Sequence, residues 1–148
     1  MFKKTITYVD YEGTERTEDF YFNLSSAEIA EKELRTVGGY GEQLLRIANS
    51  QDREAIVNEW KSFILGAYGV KSEDGRRFIK SPELAEAFTQ TPAYDQLFLE
   101  LLSDADFAAE FVNGVMASVN KAADSGQLTL EKAKELLEEK RKQQEAGK

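Results

Sequence analysis

Two prolines, Pro82 and Pro92, are the only ones in the chain, and each directly follows a hydroxyl residue, in "FIKSPELAEAFTQTPAYDQLF". Proline fits the first position of a helix, where no hydrogen-bonded N–H is lost and φ is already helical. A preceding Ser or Thr can accept from the open backbone donors of the first turn. Ser81-Pro82 and Thr91-Pro92 therefore predict two consecutive helix starts, which confine this part of the chain to short helices. Leu84, Ala87 and Phe88 are the expected apolar stripe of the first helix, and Tyr94, Leu97, Phe98, Leu101 and Leu102 that of the second. A third helix should follow, capped by Ser103 with Asp106 or by Asp104 alone, with Phe107, Ala108, Phe111, Val112 and Val115 at helical spacing.

Upstream the periodicity changes from helix to strand. "KKTITYVDYEGTERTEDFYFNL" holds two β-rich runs around "YEGT", where Gly13 can take a left-handed turn conformation. Alternation places Ile6 and Tyr8 on one face of the first run and Phe20, Phe22 and Leu24 on one face of the second. Thr5, Thr7, Asp19 and Asn23 fall on the opposite faces. Ser25 and Glu28 then spell a capping box for a short helix that should end near "GGYG" (residues 38–41), a loop or hinge. Asp52 to Tyr68 reads as a long helix with Ile56, Trp60, Phe63, Ile64 and Ala67 on its stripe and Gly69 as its left-handed C-cap. "VKSEDGRRFIK" carries an Asp-Gly turn signal, for a small hairpin or an ordered loop.

These elements predict an α+β fold, predominantly helical. An N-terminal β-hairpin (3–24) packs on a bundle of short helices (25–117), together one globular domain over 1–117. From about Ala117 the composition turns small and polar, and then to "LTLEKAKELLEEKRKQQEAGK". Residues 118–148 are accordingly expected to be a linker and a mobile, charged C-terminal helix. Leu130, Ala133, Leu136 and Leu137 give that helix only a narrow stripe, better suited to docking than to isolated stability.

Composition narrows the function. The chain has 148 residues with no Cys and no His, which removes disulfides, zinc fingers, thiol nucleophiles and Ser-His or Cys-His triads. Its formal charge of −8 gives no electrostatic reason to bind nucleic acid, whose backbone rewards clustered cations. No apolar run approaches the roughly 20 residues that span a bilayer, and the N-terminus lacks a signal-peptide core, so a cytosolic protein with no membrane partner is expected. Acidic neighbours such as Glu18-Asp19, Glu73-Asp74 and Glu138-Glu139 lack the setting of an acid–base pair or a calcium loop and read as solvated surface. "GGYG" lacks the Lys-Ser/Thr of a phosphate loop. No catalytic residue, metal ligand or cofactor is expected. Trp60, Phe63, Phe88, Phe98, Phe107 and Phe111 sit at core spacing. Tyr40 and Tyr68, beside glycines, and the stripe Leu130, Ala133, Leu136 and Leu137 are the candidate partner contacts.

The order of landmarks resembles a family. "KTITYVDYEGTERTEDFYFNLSSAEI", "FILGAYGVKSEDGRRFIKS" and "ELAEAFTQTPAYDQLFLELLSDADFAAEFVNGVM" together are similar to the tail assembly chaperones of long-tailed bacteriophages and prophages of Gram-positive hosts. The likeness covers nearly residues 1 to 117, is strongest in "YG.KSEDGRRFIKS" and "F.QT.AY..LF.EL", and departs from the usual family ending after about Met116. It implies a non-enzymatic helper in the host cytoplasm that coats the tape-measure protein, recruits tail tube protein and is absent from the mature virion. Such proteins commonly also exist in a longer, frameshifted form. Self-association is left open. The alternatives are a structural virion protein of the neck or tail-completion kind, a small carboxylate enzyme, and a small acidic protein-binding adaptor.

Overall fold

A computed structural model describes residues 1–36, 38–39, 43 and 51–118. The chain divides into two compact units, Met1–Asn23 with Gln51–Val115, and Leu24–Ser50 with Met116–Lys148.

The first unit begins with the expected hairpin, β1 (Phe2–Val9) and β2 (Glu15–Phe22), antiparallel from Phe2↔Phe22 to Val9↔Glu15. Asp10 organises its turn. Its carboxylate accepts from the backbone N–H of Glu12 (2.9 Å) and Thr14 (3.0 Å) and from Arg16 Nε (2.6 Å), while Gly13 takes φ 86°. The guanidinium hydrogen bond from Arg16, followed by that from the Thr14 N–H, lowers the pKa of this carboxyl. Helix α2 is next within this unit, Arg53–Ala67, its start capped by Asp52, whose carboxylate accepts from Ala55 N–H at 3.1 Å. Strands β3 (Tyr68–Lys71) and β4 (Phe78–Ile79) form a second hairpin, so the small-hairpin reading of the Asp-Gly segment holds. Asp74 serves its turn as Asp10 serves the first, accepting from Ser72 Oγ (2.7 Å) and Arg76 N–H (3.0 Å), with Gly75 at φ 73°.

β2 joins β3 through Tyr21↔Gly69 and Phe22↔Tyr68, which fuses the two hairpins into a four-stranded antiparallel sheet of order β1-β2-β3-β4. That fusion was not predicted, and it corrects the reading of Gly69. The long helix stops at Ala67, Tyr68 is its extended C-cap, and Gly69 is a strand residue without positive φ. Its glycine requirement comes from crowding: a Cβ there would stand 2.8 Å from the Ile79 carbonyl oxygen and 2.7 Å from the Phe78 ring.

The two hydroxyl-proline pairs start α3 (Pro82–Thr89) and α4 (Pro92–Ser103) as expected. Ser81 Oγ accepts from Leu84 N–H at 3.1 Å and Thr91 Oγ1 from Tyr94 N–H at 3.3 Å. Asp104 alone caps α5 (Ala105–Val115) by accepting from Phe107 N–H at 3.0 Å, while the Ser103 hydroxyl donates back to the Leu99 carbonyl. Two stripe residues are displaced. Ala87 is exposed, and α4 buries Ala93, Leu97 and Leu101, one residue every four. Leu102, a further 100° round the helix from Leu101, turns outward.

The core of this unit is aromatic. Phe111 on α5 is fully buried and meets Phe2 (5.3 Å between centroids), Phe22 (5.2 Å), Phe63 (5.9 Å) and Phe107 (6.3 Å). Phe88 continues the cluster to Phe22, Phe20 and Tyr68. Of the six aromatics expected inside, Phe63, Phe88, Phe107 and Phe111 are buried, and Trp60 and Phe98 are half-buried. No polar side chain is buried among the described residues.

In the second unit α1 spans Ser26–Arg35, with the predicted capping box intact: Ser25 Oγ accepts from Glu28 N–H (3.2 Å) and Glu28 Oε1 from Ser25 N–H (3.1 Å). Ser118 ties to the segment before it, its hydroxyl donating to the Leu24 carbonyl (2.7 Å) and its carbonyl accepting from Ser26 Oγ (3.2 Å).

Candidate functional site

Alternation along β1 turns Phe2, Lys4, Ile6 and Tyr8 towards the helices. Lys4 is the residue that the sequence reading missed. Its Nζ lies 3.4 Å from the Glu100 carboxylate of α4 and 4.4 Å above the Phe107 ring of α5. The ammonium thus replaces part of its hydration with one carboxylate and one ring face. Its signal was its place among Phe2, Ile6 and Tyr8, where a lysine is out of pattern.

The carboxylates that might have formed a reactive pair are used otherwise. Glu18 accepts from the Tyr8 hydroxyl, whereas Asp19, pointing to the other face, accepts from Thr5 Oγ1 at 2.6 Å. Adjacent strand residues on opposite faces cannot act on one substrate atom. Asp74 is held in the second turn, and Glu138-Glu139 lies outside the described residues. Among the described residues no group of three or more carboxylates is placed to hold a metal ion, and no helix is long and apolar enough to cross a membrane.

Of the candidate contacts, Tyr68 is described. It opens β3 rather than riding on a loop. Its ring stacks on Phe88 at 4.3 Å and 12°, with Phe22 at 5.8 Å, and its N–H donates to the Ile64 carbonyl. Tyr40, Leu130, Ala133, Leu136 and Leu137 lie outside the described residues. Next to Tyr40, Gly38 (φ 81°) and Gly39 (φ 94°) both take the left-handed conformation, after α1 has ended at Arg35.

Burial, and then the charge of Glu18, raise the pKa of Tyr68; burial and Asp95 do the same for Tyr94. A raised folded pKa favours the neutral hydroxyl. The stability it contributes is complete below the unfolded value of about 10 and is lost as pH climbs through the folded one. The melting temperature should therefore hold to about pH 9 and fall above about pH 10. Tyr68→Phe should fall less steeply than wild type, measured by circular dichroism; equal slopes would mean that Tyr68 ionises as it does in the unfolded chain.

Large apolar side chains remain exposed at Val9 and Tyr11 around the first turn, Val57 on α2, Val70 on β3, and Leu99 and Leu102 on α4. Scattered singly, such side chains are ordinary for a folded protein's surface.

Residues 1–147 match a protein-family model described as phage tail assembly chaperone. The matched span runs past residue 117, where the likeness was traced from the residues, and takes in the charged tail. No curated protein and no solved structure matches.

Proposed function

This chain belongs to the phage tail assembly chaperone family, and from that premise we propose that it binds the tape-measure protein and recruits tail tube protein during tail morphogenesis. It does so in the cytoplasm of a Gram-positive host and leaves before the virion is complete. It makes and breaks no covalent bond.

The family match over residues 1–147 is the observation that carries this reading. The physical character of the chain supports it. A tape measure is a long helical protein whose apolar stripes aggregate when uncovered, and an acidic body with exposed apolar side chains can cover such stripes while its own charge opposes self-association. The contacts we assign are Tyr40, Tyr68 and the tail stripe Leu130, Ala133, Leu136 and Leu137, with 1–117 as the folded body and 118–148 as its linker and docking tail.

Co-expression with a tape-measure fragment should move that fragment into the soluble fraction and let it be pulled down with the chaperone. An insoluble, unbound fragment would overturn the reading. Deleting residues 126–148 should weaken binding about tenfold, or 1.4 kcal/mol, at an unchanged melting temperature. A large loss of thermal stability would show that the tail belongs to the folded body.

A further inference from the structure

Between Lys80 and Lys121 the chain contains no basic residue and seven acidic ones: Glu83, Glu86, Asp95, Glu100, Asp104, Asp106 and Glu110. This interval supplies α3, α4 and α5. Only Glu100 has a described basic partner among these seven, Lys4. Within this acidic interval α4 exposes two leucines, Leu99 at 64% and Leu102 at 43%, three residues apart and so on one side of the helix. Asp95 precedes Leu99 by four residues on that same side, and exposed Asp104 and Asp106 follow Leu102. A solvated helix face normally carries charged side chains at such positions, and single exposed leucines need no explanation. A leucine pair at the i, i+3 spacing, set among uncompensated carboxylates, is the unit that meets the stripe of a second helix.

We propose that the outward face of α4, centred on Leu99 and Leu102, docks an amphipathic helix of a partner protein whose leucine-like stripe is flanked by Lys or Arg. The proposal rests on the binding role proposed above and assigns it a surface and a partner chemistry. Charge decides the occupant. A second copy meeting through this same face would bring the same acidic helices against one another, and anionic lipid or nucleic acid would meet the same repulsion. A basic helix gains from both the leucines and the carboxylates.

The test uses two labelled synthetic helical peptides with identical leucine stripes, one flanked by lysines and one by glutamates, titrated against the full chain by fluorescence anisotropy. The lysine peptide should bind and the glutamate peptide should not. Leu99→Ser with Leu102→Ser should cut the affinity at least tenfold at an unchanged melting temperature, because both side chains are exposed. Asp95→Asn with Asp104→Asn, whose side-chain oxygen still caps α5, should flatten the salt dependence. Equal binding of both peptides, no binding of either, or undiminished binding by the serine variant would overturn the assignment. So would a dimer, seen by sedimentation, that the serine substitutions dissolve. A tape-measure fragment titrated in parallel separates the two ideas: if it binds wild type and the serine variant equally, the chaperone role stands and this surface does not.

Discussion

Phe111→Ala lowers the unfolding free energy by about 3–5 kcal/mol, the usual cost of removing a fully buried phenylalanine. The cost should lie in the upper part of that range because Phe111 touches four other rings, on two strands' worth of sheet (Phe2, Phe22), on α2 (Phe63) and on its own helix (Phe107). Those neighbours are anchored by separate elements, so they cannot all close on the space. Gly114 adds to this rigidity. It lets α5 come so near β1 that a Cβ there would stand 2.6 Å from the Phe2 ring. For a chain of this length the melting temperature should drop by roughly 10–20 °C. Urea unfolding checks the free energy, with the midpoint falling at an unchanged slope. A loss below about 1 kcal/mol would mean that the ring cluster is loosely packed.

Gly69→Ala should cost about 1–3 kcal/mol, as overpacking of a filled site does. The Phe78 ring could swing aside, but the Ile79 carbonyl is backbone in the β3–β4 ladder, so relief requires the second hairpin to move. Gly66→Ala, three residues earlier and inside α2, provides the contrast. Nothing stands within 4 Å of its would-be Cβ, so the helix gains up to about 1 kcal/mol from the better helix former. Two identical substitutions three residues apart in the chain, one in a helix and one in a strand, thus have opposite signs. Equal signs in a thermal melt of the two variants would refute the assignment of Gly69 to a crowded strand crossing.

The candidate site was less legible than the fold. Tyr68 was singled out because glycine adjoins it, but its own sequence neighbourhood could not reveal that Phe88, from a later helix, stacks on its ring. Leu102 was placed on the buried stripe because α4 carries more apolar residues than one face can hold. Sequence periodicity shows that a surplus exists; only packing decides which leucine is left outside. Lys4 was not singled out, because Glu100 and Phe107, which receive it, come from helices far along the chain.

What the amino-acid order determined by itself was everything settled within about four residues of chain. That includes the caps at Ser25, Asp52, Ser81, Thr91 and Asp104, the turns at Gly13 and Gly75, and the alternation that gives the first hairpin an inner face. In the caps and turns donor and acceptor are near neighbours, so local geometry alone selects them, and the alternation follows from the strand's period of two. Tertiary structure decided which residues meet from afar. It joined β2 to β3, turned Gly69 from a presumed helix cap into a crowded strand residue, gathered Phe2, Phe22, Phe63 and Phe107 around Phe111, and left Leu99 and Leu102 facing outward. The physical reason is that pairings between distant residues depend on how the elements of a unit share its core, and no short window of sequence contains that information.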